Sequence, residues 1–100
     1  MMIKQLTEEQ ALEILQKKFP TLKKLDDLLQ KTVKLSDIER VDGELIFKIV
    51  GVGHQNNAIF IKLTTEKEEE RSLNYYGDKK WYLGLQDGSG DHLVQEISLL

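Results

Sequence analysis

Apolar residues recur along this chain with two periods, and the change from one to the other falls near residue 33. Between Leu6 and Phe19 the positions Ala11, Leu12, Ile14, Leu15 and Phe19 form one apolar side of a 3.6-residue repeat. Thr7 and Gln10 have capping-box spacing, which satisfies two otherwise unpaired backbone N–H groups reciprocally, and Leu6 and Ala11 stand where a hydrophobic staple closes. Glu8 and Glu9 sit at the positive end of the helix dipole, Lys17 and Lys18 at the negative end. Pro20 stops the element. The pattern predicts a helix up to that proline. Leu22, Leu25, Leu28 and Leu29, alternating with Lys23, Lys24, Asp26 and Asp27, predict a second amphipathic helix from Thr21 to about Lys31.

From Val33 onward the period is two. Val33-Lys34-Leu35 opens a strand, and Ile38 to Val41 leads into Asp42-Gly43, a pair that favours a type I′ hairpin turn with both central residues at positive φ. Leu45, Phe47 and Ile49 then share a face, as do Ile59, Ile61 and Leu63 beyond a loop predicted over Gly51 to Asn56. The second face of these two strands carries Ile46, Val50, Ala58 and Phe60 beside Lys48 and Lys62, so part of the chain or a partner is expected to cover it. Glu66 to Arg71 reads as a solvated loop or short helical turn. Leu73 to Tyr76 and the alternation of Trp81, Leu83 and Leu85 predict two further strands, and Asp87-Gly88-Ser89-Gly90-Asp91 a loop. His92 to Leu100 fits a final strand better than a short helix, because five-residue glycine loops suit hairpins.

These elements predict a single α+β domain, 1–32 helical and 33–100 mainly β. Two N-terminal helices are expected to pack on an antiparallel meander sheet of five to six strands. Leu15, Phe19, Leu25, Leu28, Phe47, Ile49, Ile59, Ile61, Trp81 and Leu83 are the expected core. With 40% hydrophobic and 31% charged residues, the 100-residue chain has a globular balance. The absence of cysteine excludes disulfides, thiolate metal sites and Cys nucleophiles. The first residues turn polar too soon for a signal peptide, and no apolar run approaches the roughly 20 residues of a membrane span. A cytoplasmic protein that engages no membrane is the simplest reading.

The net charge of −3 is uneven, +2 over residues 1–34 and −5 over the remainder. An acidic body without a basic stripe, and lysines without interleaved aromatics, argue against a nucleic-acid partner. Asp87, Ser89 and Asp91 alternate like the first ligands of a calcium loop, but His92 and Ser98 stand where such a loop needs Gly and Glu. Gly51-Val52-Gly53 lacks the third glycine and the helix of a dinucleotide fingerprint. His54 and His92 are the only near-neutral acid–base candidates, with Asp87 or Asp91 as neighbours of His92. Two histidines without a third ligand make a poor zinc site. No catalytic residue, metal or cofactor is therefore predicted.

Tyr75, Tyr76, Trp81 and Tyr82 place four of the seven aromatic residues within eight positions. Exposed Tyr and Trp anchor protein interfaces. The expected function is a small interaction domain (an adaptor, regulator or immunity-type protein) that binds another protein or itself through Ile46, Val50, Phe60, Tyr75, Tyr76 and Tyr82. The competing expectation is a ligand-binding or enzymatic domain with a pocket between helices and sheet, lined by Tyr76, Tyr82 and a histidine.

Overall fold

The two-residue period becomes six antiparallel strands: β1 (Thr32–Ile38), β2 (Leu45–Gln55), β3 (Ala58–Thr64), β4 (Glu70–Tyr75), β5 (Trp81–Gly84) and β6 (Asp91–Leu99). The structure, a computed structural model, describes residues 5–100. Met1 to Lys4, where the polar start was read, lie outside the described residues. Each strand pairs with the next, and β6 returns to β1 with Val33 opposite Leu99 and Leu35 opposite Ile97. The sheet is thus a closed barrel.

Closure overturns the expectation of two helices laid on an open sheet. Among the described residues the molecule is mostly β, with one α-helix. In an open sheet β1 and β6 would each expose a row of unpaired N–H and C=O groups, and pairing them removes both edges. Closure also changes what covers the apolar face. Val33, Leu35, Phe47, Ile49, Ile59, Ile61, Leu63, Leu73, Leu83 and Val94 point inward and bury one another. Eight strands give an interior just wide enough for side chains to fill, so six leave less room still. All ten residues expected in the core are buried.

The Asp42-Gly43 turn also departs from expectation. Only Gly43 of the pair has positive φ, so no type I′ turn forms. The chain instead folds back at Glu39-Arg40, where the Val41 N–H donates to the Ile38 carbonyl at 3.1 Å. The segment 51–55, expected as loop, continues β2. A register shift between Ile49 and Gly51 bulges Val50 outward and restores pairing, with Gly51 opposite Lys62 and Gly53 opposite Phe60.

The helix α1 (Glu8–Lys18) has the capping box read from the sequence: Gln10 N–H donates to Thr7 Oγ1 at 3.2 Å and Thr7 N–H to Gln10 Oε1 at 3.0 Å. Ala11, Leu15 and Phe19 turn its apolar side onto the barrel core. Its lead-in is tied to the β2–β3 turn by the Leu6 N–H, which donates to the Asn56 carbonyl at 2.5 Å. The β4–β5 turn meets the same end of the barrel: a Cβ added at Gly77 would stand 2.6 Å from Asn57 Nδ2.

The second helix does not form. Lys24 is extended (φ −150°, ψ 161°), and only a 3₁₀ turn follows, over Leu25–Leu28. Leu22, Leu25 and Leu28 are buried at a spacing of three, the 3₁₀ period, whereas Leu29, which an α-helical face would use, is 37% exposed. Beyond that turn the chain docks on β2, with Gln30 N–H on the Ile49 carbonyl and Ile49 N–H on the Lys31 carbonyl, each at 2.8 Å. Among the described residues no helix is long and apolar enough to cross a membrane.

Candidate functional site

Cross-strand partners in an antiparallel sheet share a face, and the register therefore sorts the candidate residues. Gly53, Phe60, Asn74, Tyr82 and Leu93 lie opposite one another in turn across β2 to β6, forming one row on the outside of the barrel. Tyr76, just past β4, joins that row by packing on Tyr82 with ring centroids 5.6 Å apart and planes tilted at 45°. Ile46 and Val50 extend the outer face along β2, with Lys48 between them. Ile46, Val50 and Phe60 are 55%, 40% and 39% exposed. Among the six residues expected at an interface, Tyr75 alone lies on the opposite side. It pairs with Trp81 and stacks on it at 5.1 Å, beside α1.

Asn74 occupies the middle of the outer row between Phe60 and Tyr82, and it is buried. Its Nδ2 donates to Ser72 Oγ at 3.2 Å. Sequence reasoning missed Asn74, although its position midway between the two strands' aromatic residues was visible once their register was known.

Three carboxylates act on the tyrosines, Asp78 foremost, with Asp91 and Glu39. Tyr82 donates its hydroxyl to Asp78 Oδ2 at 2.5 Å, which raises the Tyr82 pKa and lowers that of Asp78. Burial raises the Tyr76 pKa, Asp91 raises it further and a hydrogen bond with Asn74 opposes both. Burial, and then Asp78, raise that of Tyr75. All three phenols therefore keep their protons at neutral pH, and the Tyr82 hydroxyl is directed at Asp78.

A second polar arrangement links the loop before β6 to the β1–β2 connection. Buried His92 places Nδ1 2.8 Å from the Glu39 carbonyl and Nε2 2.7 Å from Ser89 Oγ, and Ser89 also bonds Asp87. The hydroxyl bond to Asp87 holds that carboxyl below its ordinary pKa. The Glu39 carbonyl can only accept, so Nδ1 donates to it, and the single Ser89 hydroxyl proton lies within reach of both Asp87 and Nε2. The chain of bonds pins a glycine loop, with Gly88 and Gly90 both at positive φ. His54 stands on β2, makes no side-chain hydrogen bond among the described residues and is not joined to His92.

Three shallow grooves lie outside the barrel. One of about 470 Å³ runs between α1 and the β4–β5 turn, past Tyr75 and Tyr76. A second of about 480 Å³ separates α1 from β5 and β6. A third of about 510 Å³ lies beside Ile46 and Val50. None includes a histidine or Tyr82, so the pocket of Tyr76, Tyr82 and a histidine is not assembled in any of them. Among the described residues no group of three or more His, Asp or Glu side chains is placed to hold a metal. No family model matches this chain, and neither curated proteins nor solved structures give a match.

Proposed function

We propose that this is a non-catalytic, cytoplasmic protein-interaction domain whose docking surface is the outer aromatic row of Phe60, Tyr76 and Tyr82, extended by Ile46 and Val50. The observation that carries this reading is the solvent-facing placement of Phe60, Ile46 and Val50 on adjoining strands. Large apolar side chains gathered on one face, with tyrosines beside them, have the composition of an interface centre. Lys48 and Lys62 lie among these residues and Asp78 beside Tyr82, exposed charges of the kind that contribute more to partner selection than to affinity.

The packed interior supports this reading over a ligand cavity within the barrel, because its inward positions are already filled by aliphatic side chains. Size-exclusion chromatography with light scattering separates self-association from a foreign partner. A dimer that Phe60→Asp converts to monomer identifies the partner as a second copy. For a monomer, affinity capture from cytosol is expected to recover a partner with the wild type and to lose it with folded Phe60→Asp. Equal behaviour of the two proteins in both assays removes the surface from consideration.

A further inference from the structure

We infer that the groove between α1 and strands β5 and β6 is a binding site for an acidic, partly apolar peptide segment of a partner protein. Its rims are lysines from two separate elements, Lys17 and Lys18 on the last turn of α1 and Lys79 and Lys80 on the β4–β5 turn. No carboxylate lines it. Among the described residues none of these four ammonium groups stands within 4 Å of an acid, as is true of every described base except Lys34, Arg40 and Arg71; what sets the four apart is that they gather around one groove. Asp78, next to Lys79 in sequence, points to the Tyr82 hydroxyl and the Lys80 N–H and offsets part of the Lys80 charge, but it does not line the groove.

This local charge runs against the molecule. The chain carries −3 overall, so everything outside the four lysines sums to −7. Lys17 and Lys18 complement the helix dipole, which accounts for two of the four. It does not account for Lys79 and Lys80, which the hairpin brings to the opposite rim. Four like charges around a groove of about 480 Å³ repel one another, and an anionic occupant relieves that repulsion.

The floor identifies the class of anion. Ile14, Tyr75, Trp81, Leu93 and Val94 make it apolar, which suits aliphatic side chains between carboxylates better than a bare phosphate. A single-stranded nucleic acid needs open aromatic faces for its bases, whereas Trp81 is buried and its ring is taken up by Tyr75. Lysines on flexible stems act as point charges without the bidentate geometry of arginine, so they accept carboxylates in many positions. The groove meets the outer row at Leu93 but includes none of Phe60, Tyr76 or Tyr82.

The test is fluorescence anisotropy with a fluorescein-labelled peptide, Glu-Glu-Leu-Glu-Glu-Leu-Glu-Glu, at low salt. Saturable binding is expected, weakened at least roughly tenfold when every Glu is replaced by Gln, a loss of about 1.4 kcal/mol. Lys79→Glu with Lys80→Glu is expected to reduce affinity by a similar factor, and Lys17→Gln with Lys18→Gln provides a second variant that keeps the hairpin intact. Lys23→Glu with Lys31→Glu makes the same charge change outside the groove and is expected to stay within about twofold, as is Phe60→Asp. Trp81, the only tryptophan, reports occupancy of the floor through its emission. Absence of saturable binding, equal losses in groove and control variants, or tighter binding of an oligouridylate of equal charge would each overturn the inference. Retained binding by Phe60→Asp keeps this outcome separate from failure of the aromatic surface.

Discussion

At the scale of single residues, two carboxylates define how the turns of the barrel hold. Asp78 receives the Tyr82 hydroxyl and the Lys80 N–H, and Asp87 receives the Ser89 hydroxyl and the Ser89 N–H. Both carboxyls have folded-state pKa values below the ordinary one. Their contribution to stability is therefore fully present above the unfolded carboxylate range and is lost as pH falls through the lowered values. Tyr82 shifts the other way, so its share is present below pH about 10 and is lost as pH rises through its raised value. Tyr82→Phe removes the hydroxyl and is expected to return the Asp78 titration, followed by NMR of the side-chain carboxyl, toward its ordinary midpoint. An unchanged Asp78 midpoint would show that the hydroxyl does not set it. The association of Asp87 with His92 was partly legible in the sequence, because they flank one glycine loop. The bridging role of Ser89 was not, since it depends on the positive φ of Gly88 and Gly90.

At the scale of elements, α1 was fully legible and the segment after it was not. The signals for α1 are local: a capping box, charges matched to the dipole, and a proline after the end. The segment from Thr21 to Lys31 carries leucines that satisfy spacings of three and four together, and only packing decides between them. The barrel uses the spacing of three. Leu28→Ala, at a fully buried position, is expected to cost about 2–5 kcal/mol in denaturant unfolding. Leu29→Ala, at a position more than a third exposed, is expected to cost about 1 kcal/mol or less. The reverse order would restore an α-helical face there. Strand β2 was cut short in the sequence reading because Gly51 and Gly53 resemble loop residues. On the outer face they lie opposite Lys62 and Phe60; the Lys62 side chain lies over Gly51, whereas the position above Gly53 is open.

For the whole molecule, the alternation that assigned inward and outward residues was legible, and the closure was not. Alternation states which side chains share a face, but not whether the last strand meets the first. Both β1 and β6 carry alternating apolar residues (Val33 and Leu35, Ile97 and Leu99), a pattern equally compatible with two edges beneath a helical layer. The loss of the second helix decides the matter physically, since a single helix cannot cover a six-stranded open sheet. Closure also explains why the candidate surfaces lie outside: the interior is filled, so the two proposed sites are the outer aromatic row and the lysine-rimmed groove. The pairing of β1 with β6 is the claim on which both surfaces rest. NMR of the labelled protein tests it through cross-strand NOEs and amide exchange. Contacts between Val33 and Leu99 and between Leu35 and Ile97, with slow exchange along both strands, are the predicted result. Rapid exchange along β1 and β6 with no NOEs between them would contradict the closed barrel.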